Sequence, residues 1–287
     1  MSWVGGKKAL RDEVLARFPP KYFRYAEVFG GAGWVLFNKP YGLYDTGGFE
    51  IFNDMNSNLV NLYQCVRDQP EPLIRELEYT LNSREDFNRI RRDLVHKTNL
   101  PDIKRAALYY QLIKQSYGSG LKSFGAVPHS MWASFPMIHL ASERLQRVVI
   151  ENRDFEALIK TYDRPDTFFY LDPPYFSTEN YYKGVNFGRE DHARLAGVLE
   201  GIEGLFLLSY NDCQEIVDLY SRPGITIESL SRLNNLMQRY DGGCEFAELL
   251  IANYDMSASA KQYEQIVLFD DSDITRTQQE RKIIYHG

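Results

Sequence analysis

The 287-residue chain is short of the residues that would make it a disulfide scaffold, a metalloprotein or a membrane protein. Its three cysteines, Cys65, Cys213 and Cys244, lie far apart without CxxC spacing, which argues against both disulfides and a thiolate metal site. The five histidines, His96, His129, His139, His192 and His286, show no ligand spacing with carboxylates, so no metal is expected. No apolar run approaches the roughly 20 residues that span a bilayer. The opening Met1-Ser2-Trp3-Val4-Gly5-Gly6-Lys7-Lys8 lacks the apolar core of a signal peptide. No membrane partner is expected, and a cytoplasmic protein is the default. Net positive charge is missing too, since the total is −6, which on its own speaks weakly against nucleic acid. No internal repeat is visible, and the sequence leaves the oligomeric state open, a monomer being compatible with it.

What is present is an ordinary globular composition, 44% hydrophobic and 25% charged. That length suits one large α/β domain, or a domain with a sizeable insertion. Charge is unevenly spread. Between Arg75 and Ile150 there are 12 Lys and Arg against 7 Asp and Glu, an excess of five positive charges that leaves eleven net negatives on the remainder. A basic segment on an acidic body fits a localised polyanion site, and it equally fits a solvated helical face.

The chain is organised around Tyr170-Leu171-Asp172-Pro173-Pro174-Tyr175, which ends the apolar, β-prone run Thr167 to Leu171. Proline cannot donate to a sheet ladder and drives its predecessor out of helical geometry, so Asp172, Pro173 and Pro174 form a stiff loop at a strand's carboxyl end. Open α/β sheets carry their chemistry there. A carboxylate, a rigidly placed carbonyl and an aromatic face suit the holding of a planar ring by its exocyclic amine; a proline-rich turn with an exposed Asp is the plainer alternative. Chance produces an Asp-Pro-Pro-Tyr string in roughly one chain per thousand of this length, so the string itself carries weight.

Upstream, the spacing of Leu10, Val14, Leu15 and Phe18 predicts a short amphipathic helix stopped by Pro19-Pro20. Tyr25 to Phe29 reads as a strand running into Gly30-Gly31-Ala32-Gly33, with a helix after it; such a turn lets backbone approach a ligand closely. A second strand, Phe49 to Asp54, ends in an acid roughly 20 residues past the glycines, the spacing of a ribose-binding carboxylate in a nucleotide-binding βαβ unit. The alternative for Asp54 is a cap on the helix starting near Asn56. Asn58 to Asn99 is helix-rich, Ile103 to Ser116 is a further helix, and Tyr117 to Pro128 is a Gly/Ser loop bearing aromatic and basic residues. That loop could follow a phosphate backbone and stack or wedge at bases, or simply be disordered surface. A helix near Pro136 to Gln146 precedes a strand, Val148 to Asn152, and the helix Glu156 to Tyr162. Past the organising strand, alternation predicts a helix Glu190 to Leu199, a strand Leu205 to Tyr210, a helix Cys213 to Tyr220, and strands Ile225 to Leu230 and Glu248 to Tyr254. Residues 257–287 read as a loosely attached tail.

With Phe29 to Gly33, Asp54, Asp154-Phe155 and Asp172 to Tyr175 all falling at strand ends of one sheet, the sequence resembles the Dam-like DNA adenine-N6 methyltransferases. Trp3-Val4-Gly5-Gly6-Lys7 matches that family's WxGGK start, Phe29 to Gly33 its FxGxG loop, Asp54 its ribose acid, and Asp172 to Tyr175 its DPPY motif, in the family's order. The resemblance implies a Rossmann-like α/β methyltransferase with a mostly parallel central sheet and a helical target-recognition insertion. Residues 1–57 and 147–256 would form the catalytic domain and 58–146 the DNA-binding one. It implies S-adenosylmethionine as cofactor, with Trp3 and Lys7 near its methionine end, Phe29, Gly31 and Gly33 in the close turn, Asp54 on the ribose, and Asp154 and Phe155 at the adenine. It implies double-stranded DNA as partner, with the target adenine flipped out between Asp172, the Pro173 carbonyl, Pro174 and Tyr175. Tyr181, Tyr182 and Phe187 are candidates to close over that base, and Lys114, Tyr117, Lys122 and Phe124 to touch DNA. One departure is Ser2, where the family commonly has a basic residue, so a GATC target is not implied.

Two other classes compete. The same fold methylates N4 of cytosine, RNA adenine or a glutamine amide, but those groups usually replace the leading Asp of the motif and lack the WxGGK start. A non-catalytic DNA-binding regulator would have no reason to keep Asp172, Asp54 and Lys7 together.

Overall fold

The computed structural model describes residues 10–39, 45–96, 99–126, 130–177, 187–233 and 245–259. Seven strands form one sheet: β1 (Tyr22–Glu27), β2 (Asp45–Asn53), β3 (Val148–Glu151), β4 (Thr167–Leu171), β5 (Leu205–Asn211), β6 (Thr226–Leu233) and β7 (Glu245–Ala252). Their spatial order is β3-β2-β1-β4-β5-β7-β6. The first five run parallel, and only β7 is antiparallel, inserted between β5 and β6. This is the mostly parallel, Rossmann-like sheet expected from the sequence. Strand order reverses between β1 and β4, and such a switch point opens a crevice at the carboxyl ends of the two strands.

Alternation along the strands sorts their side chains onto two covered faces. Tyr25, Phe52, Phe168, Tyr170, Leu207 and Leu250 face one layer of helices, α1 (Arg11–Ala16), α2 (Trp34–Asn38), α3 (Ser57–Asp68), α4 (Pro70–Leu77), α6 (Asp102–Gln115) and α7 (Phe135–Leu145). Ala26, Ile51, Phe169, Leu171, Phe206 and Leu208 face the other layer, α8 (Phe155–Tyr162), α9 (Arg189–Glu200) and α10 (Gln214–Tyr220). A strand covered on both faces must be apolar throughout, which is why Thr167–Leu171 reads as an unbroken run. Each large side chain so buried contributes about 1.5–3 kcal/mol relative to exposure.

The helix-rich segment divides into α3, α4 and α5 (Arg84–His96). Pro70 sets the first break: as the first residue of α4 it needs no helical N–H, but it cannot continue α3. Helix α5 stands outside the main core and packs Phe87 and Ile90 on Leu108 and Leu112 of α6. Within the first layer, Lys39 Nζ lies 2.9 Å from Glu50 Oε1, and Arg144 forks onto both Glu50 oxygens and the Leu36 carbonyl. These charges are essentially fully buried. Deleting one partner would strand the others, a loss of about 3–5 kcal/mol. The triad ties α2, β2 and α7 together beneath the turn that follows β1.

Candidate active site

The crevice is built from two loops. On β1, the chain passes from Glu27 through Val28 and Phe29 into the glycine turn, where Gly31 and Gly33 hold φ of 51° and 67°. These left-handed values favour glycine. Gly30 is required for a different reason: a Cβ there would sit 2.3 Å from the buried Phe52 ring. On β4, Asp172, Pro173, Pro174 and Tyr175 follow the strand directly, with both prolines buried and Asp172 and Tyr175 half-buried. The Val28 N–H donates to the Tyr170 carbonyl at 3.0 Å, which holds the ends of β1 and β4 side by side. The Asp172 charge is felt by Glu27, whose carboxyl is pushed up to about 8, first by burial and further by Asp172, against hydrogen bonds from the Tyr25 hydroxyl and the Leu36 N–H.

Asp54 follows β2 and closes the glycine turn from the side. Its Oδ2 accepts from the Gly31 N–H at 2.9 Å and its Oδ1 from the Asn56 N–H at 2.7 Å. The helix cap itself is Asn56, whose side chain accepts from the N–H groups of Asn58 and Leu59. Burial pushes the Asp54 carboxyl up, and the two backbone donors oppose that shift. Each oxygen keeps acceptor capacity for a hydroxyl. Beside it, Asn53 clamps the strand ends, donating to the carbonyls of Val28 and Arg153 and accepting from the Arg153 N–H.

A cavity opens next to this clamp, lined by Val28, Phe29, Asn53, Met55, Arg153, Asp154, Phe155 and Phe187. Three aromatic rings frame it, with Phe29 and Phe155 5.7 Å apart and Phe187 at 5.7 and 5.8 Å from them. Asp154 caps α8 through the Glu156 N–H. Arg194 of α9 grips both Asp154 oxygens at 2.9 Å and lies 4.0 Å over the Phe155 ring. That hydrogen bonding holds the Asp154 carboxyl below the usual range and raises Arg194 further. Apolar walls with a few fixed polar groups suit a flat heteroaromatic ring.

A family model described as D12 class N6 adenine-specific DNA methyltransferase matches residues 3–237. The chain belongs to that class. Relatives carry related names. The type II methyltransferase M1.LlaDCHI of Lactococcus lactis subsp. cremoris is 27% identical over 278 residues, spanning 88% of this chain and 94% of that protein. The DNA adenine methylase of Haemophilus influenzae is 25% identical over 243 residues, spanning 77% and 82%. Among solved structures, an O-methyltransferase from Bacillus cereus in complex with SAH is similar over 85% of this chain and 79% of its own, at 8% identity and a TM-score of 0.37.

The enzyme therefore methylates adenine N6 in DNA, with S-adenosylmethionine as methyl donor. The structure brings Phe29, Gly31, Gly33, Asp54, Asp154 and Phe155 to one edge of the sheet, and Asp172 to Tyr175 to the adjoining strand end. Trp3, Lys7, Tyr181 and Tyr182 lie outside the described residues. Phe187 lines the cavity of Phe29 and Phe155. Of the residues suggested for DNA, Tyr117 and Lys122 are exposed and Lys114 is half-buried. Phe124 packs its ring 5.8 Å from Phe87, with the Arg84 guanidinium 5.1 Å over it. Trp132, which no sequence motif marks, is 61% exposed.

Among the described residues no helix is long and apolar enough to cross a membrane.

Proposed function

We propose that the enzyme works on duplex DNA, flips the target adenine into the crevice between β1 and β4, and holds its amine on Asp172 and the Pro173 carbonyl. The meeting of the Asp172 loop with the glycine turn at the switch point carries this reading. Phe29, Gly31, Gly33, Asp54, Asp154 and Phe155 would hold the cofactor, with Trp3 and Lys7 at its methionine end. The framed cavity supports the adenine end, and the spare acceptor capacity of Asp54 supports a ribose diol. When bound, S-adenosylmethionine supplies an electrophilic sulfonium methyl.

The protein's task follows from the amine. The N6 lone pair is delocalised into the ring and is a poor nucleophile. Two acceptors, the Asp172 carboxylate and the Pro173 carbonyl, each take one N–H and draw the nitrogen toward tetrahedral geometry. So held, the amine would present its lone pair to the methyl that the bound cofactor would supply. The surplus N6 proton goes to Asp172 or through it to water. Catalysis here is positioning and preorganised electrostatics. Tyr175 offers its ring face to the extrahelical base, and base–aromatic stacking is worth about 1–3 kcal/mol.

Residues 58–146 would form the recognition segment, supported by their basic excess, with Tyr117, Lys114 and Lys122 as contacts and Phe124 as the packing that holds their loop. One chain supplies both loops of the crevice, which supports a monomer, and a DNA substrate supports a cytoplasmic location. Asp172→Ala should cut methyl transfer about a hundredfold or more, while cofactor binding by calorimetry is unchanged. Substantial residual turnover, or label from the cofactor entering RNA but not DNA, would overturn the reading.

A further inference from the structure

Because β7 runs antiparallel between β5 and β6, Glu248 falls opposite Asn211 of β5 and Leu230 of β6. Its side chain is only 2% exposed, in the interior of a covered sheet, where a carboxyl group persists only if donors meet it. Two of them do so at Oε1: the hydroxyl of Tyr175, from the loop after β4, and Ser209 Oγ at 2.9 Å. The Tyr175 ring also lies against Tyr210, centroids 6.2 Å apart and planes tilted by 41°. Tyr210 is fixed in turn, its hydroxyl sharing a 2.6 Å hydrogen bond with Nδ1 of buried His192. One residue further along the loop, Asn211 Nδ2 reaches the Phe176 carbonyl at 3.4 Å.

A tyrosine ring is oriented by two side-chain torsions. Here one flank is packed and the hydroxyl end is tethered, so both torsions are fixed before any substrate arrives, while the residue stays half-buried with surface left for a ligand. We infer that Glu248 is a positioning residue for methyl transfer: by accepting the Tyr175 hydroxyl it sets the plane on which the target adenine stacks. This rests on the reading of Tyr175 as the base-stacking face. Glu248 acts through Tyr175 and touches neither base nor cofactor in this arrangement. It lies past residue 237, where the family match ends. A group that fixes the working geometry of a catalytic side chain affects rate through alignment, since a misplacement of about 1 Å can cost a hundredfold.

The test uses the full-length protein, plasmid DNA from a methylation-deficient host and tritium-labelled S-adenosylmethionine, with kcat and both KM values measured. Tyr175→Phe and Glu248→Ala should each lower kcat about tenfold and leave the KM for S-adenosylmethionine unchanged. Glu248→Gln, which keeps an acceptor oxygen, should recover most of the loss. In the Tyr175→Phe background, Glu248→Ala should cost less than about twofold more, because the shared hydrogen bond is already gone. Should Glu248→Ala fail to fold, Tyr175→Phe, which removes the same hydrogen bond from its donor side, carries the test, and full turnover by it overturns the inference. Multiplying losses in the double variant overturn the inference, as does a Glu248 variant of lowered Tm and unchanged kcat. Normal turnover by Tyr175→Phe alongside a crippled Tyr175→Ala overturns the inference alone. Normal turnover by Tyr175→Ala removes the stacking reading and the inference with it.

Discussion

A carboxyl group buried beneath the glycine turn makes the stability of this protein depend on pH. Glu27 is 2% exposed and its carboxyl is pushed from the ordinary 4.5 up to about 8, mainly by burial. The folded protein therefore keeps the proton over a range in which the unfolded chain has released it. Stability from this residue is fully present below about pH 4.5 and is lost as pH rises through about 8. Glu27→Gln has no proton to lose, so urea titrations from pH 5 to 9 should show the native protein losing stability relative to this variant across that window. Parallel curves would show that Glu27 titrates alike in both states. Residues of this kind were not legible in the sequence, whereas Asp172 and Tyr175 were. The latter announce themselves by type and by the prolines between them. Glu27, Arg194 and Glu248 owe their roles to partners met only after folding, 40 residues away for Arg194 with Asp154 and 73 for Tyr175 with Glu248.

At the scale of elements, the loop after α6 departs from the open Gly/Ser loop that its composition suggests. Residues 116–125 fold back on themselves. Tyr117 N–H donates to the Ser123 carbonyl at 2.8 Å, Gly125 N–H to the Gln115 carbonyl at 2.7 Å, and Ser116 bridges Phe124. Arg91 of α5 reaches the Lys122 carbonyl and ties the loop to that helix. Composition reports glycine and serine but not which backbone groups meet across the loop, nor that Phe87 and Arg91 of a separate helix hold it. The closed loop separates a packing effect from a charge effect. Phe124→Ala removes a ring packed on Phe87, so it should lower Tm and stability by about 3 kcal/mol at most, as the ring is half-buried. Lys122→Ala leaves that packing intact. If the lysine meets a phosphate, the slope of log affinity for DNA against log salt should fall by about 0.9, with Tm unchanged. An unaltered slope would remove Lys122 from the interface.

For the whole molecule, the decisive feature is that residues 58–146 differ from the rest in proposed role but not in core. Leu59, Leu62, Tyr63, Leu73, Ala106, Tyr109 and Phe135 belong to the same buried cluster as Val14, Tyr25, Phe52, Phe168 and Leu250. The sheet's first face is covered by these helices, and without them its large aromatics would be open to water. Among the described residues, only the small cluster of Phe87, Ile90, Leu108 and Leu112 belongs to the segment alone. The sequence made the alternation of strands and helices visible, and with it the parallel sheet. It could not show that the insertion covers that sheet, since an amphipathic helix does not name the surface it will meet. A shared core means shared unfolding. Far-UV circular dichroism, dominated by helices of both layers, and the fluorescence of the tryptophans, including Trp34 on α2 and Trp132 beside α7, should follow one thermal transition. Leu62→Ala, at a fully buried position of α3, should lower the stability by about 2–5 kcal/mol and move both signals together. The excised segment 58–146 should remain unfolded, having lost the face against which it packs. Two separated transitions, or a folded excised segment, would mean that the helices of residues 58–146 are stable without the sheet.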